Sequence, residues 1–160
     1  MKNLQKIISE LEVEGYSLVE NLIPNEIVEK IEIDMSKRLA NVSFGDNNFV
    51  GMKTKRLYSL FGETRSVDQI AMNEIILEVV SEYCGDVLLG ASVACQIYPG
   101  ETAQAFHFDD GIYPLPSNFR DVNVGVIWAL DDFTIDNGAT VVIPKSHKKR
   151  DIKNPEKFDE

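Results

Sequence analysis

Gly85 divides this chain into two parts with different hydrophobic periods, and that division restricts the fold more than any other feature. Before it the apolar residues recur every three or four positions. Leu4, Ile7, Ile8 and Leu11 predict an amphipathic helix over the first dozen residues, ended by Gly15. Tyr16–Glu20 alternates like a short strand, and Pro24 stands where a second helix can begin, carried on by Ile27, Val28, Ile31, Met35 and Leu39. Residues 41–66 are the least patterned, with Gly45-Asp46-Asn47-Asn48 as a turn-rich centre. Ile70, Ile75, Ile76, Val79, Val80 and Tyr83 predict a third helix, with Gly85 in the C-cap position. After Gly85 the segments Val87–Leu89, Ala91–Tyr98, Phe106–Asp109, Val122–Leu130 and Thr140–Ile143 are strand-like, punctuated by Pro99-Gly100 and Pro144. Asn137-Gly138 is a hairpin signal, because a type I′ turn needs φ > 0 at both central residues. Helices first and antiparallel strands second is an α+β pattern. One domain is expected, with residues 1–85 mainly helical, 86–147 a β-rich core and 148–160 a polar tail.

Charge and composition narrow the function classes. At 160 residues the chain is long enough for a single substantial core. A formal net charge of −10 argues against nucleic acid or an anionic membrane as a partner, since both select basic surfaces. No apolar run approaches the roughly 18 residues of a membrane span, and the start lacks a signal peptide's apolar segment. Cys84 and Cys95 show neither CxxC spacing nor a disulfide framework, so a reduced, cytoplasmic protein is the expectation.

The chemistry-bearing motif is Ala105-Phe106-His107-Phe108-Asp109-Asp110-Gly111. His107 and Asp109 are two apart, so on an extended backbone both point to one face. An imidazole and a carboxylate so placed form two arms of the two-His-one-carboxylate triad of non-haem Fe(II) oxygenases. The bland alternative is a surface-loop pair with no metal. His147 is the only other histidine, so a His-rich cluster is excluded. The cationic cluster Lys53, Lys55 and Arg56 reads either as a solvated loop or as the source of one cation for a carboxylate in the site.

Gln96–Glu101, Phe106–Pro116, Ile127–Phe133, Asp136–Thr140 and Pro144–His147, in this order, closely resemble the phytanoyl-CoA dioxygenase family over residues 50–148, with weaker similarity in the N-terminal helices. The resemblance implies N-terminal helices packed on a double-stranded β-helix (jelly-roll, cupin-like) core. It further implies Fe(II), with 2-oxoglutarate and O2 as cosubstrates, hydroxylation of an unactivated C–H of a small metabolite or acyl substrate, and release of succinate and CO2. On the matching positions it makes His107 and Asp109 iron ligands, places Gln96 and Trp128 beside the 2-oxoglutarate pocket, and puts Lys55 as a cation near the cosubstrate. An aspartate at 109, where related halogenases carry a small residue, favours hydroxylation. Asp110 and Tyr113 either line a substrate entrance or stabilise a turn.

The family's distal histidine ligand and its arginine for the far carboxylate of 2-oxoglutarate come well after the Pro-x-Ser-His block. Here that block is Pro144–His147, and no such pair follows it; His147 falls on the block's own histidine, and Arg150 is a poor match for the anchor. The expectation is therefore a single incomplete domain whose C-terminal strands are missing, active only where the distal His and Arg are supplied. The alternatives are an inactive truncated jelly-roll fragment with weak or no metal binding, and a cupin-like binder indifferent to 2-oxoglutarate. Oligomeric state and substrate identity stay open.

Overall fold

The helical periods of the first forty residues produce two helices, α1 (Lys2–Glu14) and α2 (Asn25–Leu39), in the computed structural model, which describes residues 2–113 and 122–149. Ile31, Met35 and Leu39 fall four apart on α2 and form one buried stripe. Pro24 sits in the N-cap position, where its missing N–H costs nothing and its carbonyl accepts from Ile27. Lys37 and Arg38 in the last turn oppose the negative end of the helix dipole. The stripe packs with Leu60 and Val67 as the buried core, and Leu57, Ala94 and Leu130 press on it.

Two strands lie against this core. β1 (Thr54–Tyr58) pairs antiparallel with β2 (Val93–Ile97), in a register that sets Lys55 opposite Gln96 and Leu57 opposite Ala94. Side chains alternate along a strand, so both pairs share the face on which Leu57 and Ala94 meet the core. Three short helices join the strands: α3 (Leu60–Glu63), α4 (Asp68–Ala71) and α5 (Glu74–Cys84). Helix α5 packs against α1. Asp34 of α2 accepts from the Thr64 and Ser66 hydroxyls and from Arg38 Nε, which holds the 64–66 bend onto the helix.

Several expectations change in detail. The third helix is two, because Asn73 interrupts it and caps α5 by accepting from Ile76 N at 3.2 Å. Gly85 does follow α5, at φ +80°. β1 and α3 lie inside the stretch expected to be unpatterned. Tyr16–Glu20 forms no strand; Ser17 Oγ donates to Glu10 instead.

Among the described residues β1–β2 is the whole sheet, so Val87–Leu89, Phe106–Asp109, Val122–Leu130 and Thr140–Ile143 are not strands. β-Propensity expresses fit to a pleated, half-covered surface, and Leu88 (95% exposed) and Val141 (69% exposed) have none against them. Asn137-Gly138 is a turn but not type I′, since only Gly138 has positive φ. The Asn137 side chain closes the loop, accepting from Thr134 N and donating to Asp132 O. The architecture is α+β, with helices and a two-stranded sheet. Pro114–Pro116, Arg150 and the tail beyond it lie outside the described residues.

Candidate functional site

The site is carried on the chain that leaves β2. Tyr98 extends the pairing by donating to Lys53 O at 3.0 Å, and Pro99-Gly100 then turns the backbone, with Gly100 at φ +81° and Glu101 N donating to Tyr98 O at 3.2 Å. Proline then a positive-φ glycine is the signature of a type II turn. The turn aims the Glu101 carboxylate back at the start of β1. One oxygen accepts from Lys53 N (2.6 Å) and Thr54 Oγ1 (2.9 Å), the other from Thr102 N (2.9 Å). The Lys53 amide, helped by the Thr102 amide and the threonine hydroxyls, holds this carboxyl below the usual glutamate range.

The chain then runs irregularly through residues 102–108, and Gln104 Nε2 donates to Phe49 O at 2.9 Å. Phe108 is extended (φ −98°, ψ 130°) and Asp109 opens a 3₁₀ turn, Asp109–Ile112. With an extended residue between them, His107 and Asp109 point the same way, and His107 Nε2 lies 3.3 Å from Asp109 Oδ1.

The state of the imidazole follows from its other nitrogen. His107 Nδ1 is 3.0 Å from Ala105 O. A carbonyl only accepts, so Nδ1 carries the hydrogen and Nε2 is the nitrogen that faces the carboxylate. Two lone-pair donors at that distance require a proton or a metal ion between them. Two donors about 2.1 Å from an octahedral divalent ion and at right angles lie about 3 Å apart, so the pair fits a metal. An N–H tied to a backbone carbonyl is also the usual support of a metal-bound histidine. Behind the carboxylate stands Gly125, where a Cβ would lie 3.2 Å from Asp109 Oδ2. The Phe49 ring meets the His107 ring edge-on, centroids 5.0 Å apart at 64°. Neither Gly125 nor Phe49 was marked by any motif.

The other expected residues fall elsewhere. Gln96 and Lys55 face each other across β1–β2. Gln96 Oε1 accepts from Tyr98 OH (3.0 Å), and Lys55 Nζ donates to Leu39 O (2.9 Å) and Ala40 O (3.2 Å), beside the rings of Phe44 and Tyr98. Lys55 thus caps the C-terminus of α2, a task the sequence reading did not foresee. Among the described residues no hydrogen bond or ring contact joins this pair to His107 and Asp109. Trp128 is half-buried, two residues before Leu130 on the core.

His147 sits at the far end of α1, its Nε2 3.2 Å from Glu12 O and its Nδ1 buried against Gly15. Lys145 N donates to Glu14 O at 2.7 Å, so two terminal carbonyls of α1 are satisfied by one distant segment. No third His, Cys, Asp or Glu joins His107 and Asp109 in a metal-binding group among the described residues. Asp110 O accepts from Tyr113 N within the 3₁₀ turn. No described helix is long and apolar enough to cross a membrane.

Comparison with known proteins bears on this arrangement. The phytanoyl-CoA dioxygenase (PhyH) family matches residues 11–160. The dioxygenase olcK of Penicillium canescens is 30% identical over 92% of this chain and 54% of its own length. The dioxygenase FUM3 of Gibberella moniliformis is 28% identical over 91% of this chain and 55% of its own. The iron/alpha-ketoglutarate-dependent dioxygenase okaE of Penicillium ochrochloron is 28% identical over 86% of this chain and 51% of its own. The chain spans about half the length of the curated relatives it matches.

Proposed function

The chain belongs to the phytanoyl-CoA dioxygenase family, and from that membership we infer a part in an Fe(II)- and 2-oxoglutarate-dependent dioxygenase that hydroxylates an unactivated C–H of a small molecule. The observation that carries this reading is the His107–Asp109 pair, Nε2 and a carboxylate oxygen 3.3 Å apart with the other ring nitrogen tied to Ala105 O. His107 contributes a neutral donor and Asp109 a negative one, a set that suits Fe(II). Iron with 2-oxoglutarate would supply the oxidation: one atom of O2 enters the substrate C–H as hydroxyl, the other enters succinate, and CO2 leaves.

This reading includes a double-stranded β-helix core. The antiparallel β1–β2 pair supports it. Gln96 and Trp128 stand in the proposal on the cosubstrate side. Lys55 has one ammonium N–H beyond its two carbonyl bonds, so a cosubstrate role for it rests on that one donor. The third protein donor and the anchor for the far carboxylate are left to residues other than His147, which is engaged at α1.

The test is anaerobic titration with Fe(II) and then 2-oxoglutarate, following the weak visible charge-transfer band. We expect a band that vanishes in His107→Ala and in Asp109→Ala and survives in His147→Ala. Absence of any band from the folded wild-type chain would refute assembly of an iron–2-oxoglutarate site on this pair. Loss of the band in His147→Ala would show the third donor to be the residue placed here on α1.

A further inference from the structure

Beyond the two ligands, we propose that Phe49 is a positioning residue for the iron site, setting the plane of the His107 imidazole. The proposal rests on the reading of His107 as a ligand, and its first readout needs no metal.

Phe49 belongs to a loop distant in sequence from the motif, yet that loop is built to hold it. Asn47 Oδ1 accepts from both Phe49 N and Val50 N at 2.9 Å, and Gly51 N closes the turn on Asn47 O at 2.8 Å. Such side-chain-to-backbone bonds replace a sheet ladder as the local constraint. Two further bonds fasten this loop to the one bearing the motif: Gln104 to Phe49 O, and Glu101 to Lys53 N. The Phe49 carbonyl and the Phe49 ring therefore engage residues three apart, Gln104 and His107, on the same incoming chain.

The ring contact acts where the hydrogen bond does not. Nδ1–H on Ala105 O selects one tautomer only while the ring stays in the plane that reaches this carbonyl, and a single bond does not hold that plane. The edge-on approach at 5.0 Å and 64° is a preferred aromatic geometry and blocks that rotation from one side. Phe49 is 55% exposed and contributes little to the core, so its placement is not explained by burial.

The chain has only two histidines, His107 and His147, so histidine-selective labelling gives two resolvable rings with His147 as internal reference. In metal-free protein at mildly alkaline pH we expect the His107 ring nitrogens to show one tautomer, Nδ1–H, in the wild type and in Phe49→Tyr. In Phe49→Ala we expect averaging towards both tautomers, with His147 unchanged. In a Mn(II) titration followed by paramagnetic broadening of the His107 ring, Phe49→Ala should need about tenfold more metal, the scale at which residues supporting a ligand act, and Phe49→Tyr should restore the wild-type value.

A single tautomer and unchanged Mn(II) response in Phe49→Ala would overturn the proposal. So would a Phe49→Tyr protein that behaves like Phe49→Ala, since the contact is then not what matters. If Mn(II) fails to broaden wild-type His107, the metal reading falls, and the metal-free tautomers still decide whether Phe49 positions the ring.

Discussion

Gly125 shows how one backbone position can decide a site it does not ligate. A Cβ there would meet Asp109 Oδ2 at 3.2 Å, close enough that the carboxylate must shift by a few tenths of an ångström. A metal donor misplaced on that scale binds more weakly, so Gly125→Ala should raise the Fe(II) or Mn(II) concentration for half-saturation about tenfold, in the range seen for residues that support ligands. Fold stability should hardly change, because Gly125 is exposed. Equal metal affinity in wild type and Gly125→Ala, by competition with a chelating dye, would sink the idea. The histidine and aspartate are legible from sequence because both the residue types and their spacing carry the chemistry. Gly125 and Phe49 are not, since their roles depend on contacts across 16 residues or more that only the folded chain creates.

The helices were legible for a different reason. Their apolar periods are local, and Ile31, Met35 and Leu39 advertise a face before any partner is known. β1 was hidden because Thr-Lys-Arg-Leu-Tyr reads as a charged loop. Lys55 nevertheless faces inward, with its ammonium on the end of α2 and over the rings of Phe44 and Tyr98. The expected later strands show the opposite error, local propensity without a ladder partner. At this scale the closing segment of α1 makes a prediction. Gly15 has φ +83°, which costs another residue about 1–2 kcal/mol, and a methyl there would also overlap His147 Nδ1. Gly15→Ala and His147→Ala should each speed hydrogen exchange of α1 amides while α2 and β1 keep their protection. Equal loss throughout would mean that α1 is not a separately closed unit.

For the molecule as a whole, two of the carboxylates held below their usual range tie distant segments together and make stability depend on acid. The Thr64 hydroxyl, with Ser66 and Arg38, holds Asp34 below the usual aspartate range, and the Lys53 amide does the same for Glu101. The unfolded chain therefore takes up these protons at higher pH than the folded one. The stabilisation is complete above the ordinary carboxylate pKa of about 4 and is lost as pH falls through the lowered folded values. Asp34→Asn should flatten the dependence of the urea midpoint on pH between about pH 5 and pH 2. Parallel profiles for wild type and variant would show that Asp34 gains nothing from its partners. Both carboxylates are long-range ties, Asp34 from α2 to the 64–66 bend and Glu101 from the turn after β2 to the start of β1, so acid should loosen both connections.

The bond between His147 and Glu12 joins residues 135 positions apart. On a ribosome adding roughly 5–20 residues per second, α1 would wait on the order of 10 s for the residues that close its end. Through that interval its C-terminal carbonyls face water or whatever shelters the nascent chain. The helix end is thus completed long after the helix itself is made, and a pause in translation before Pro144 would prolong its exposure.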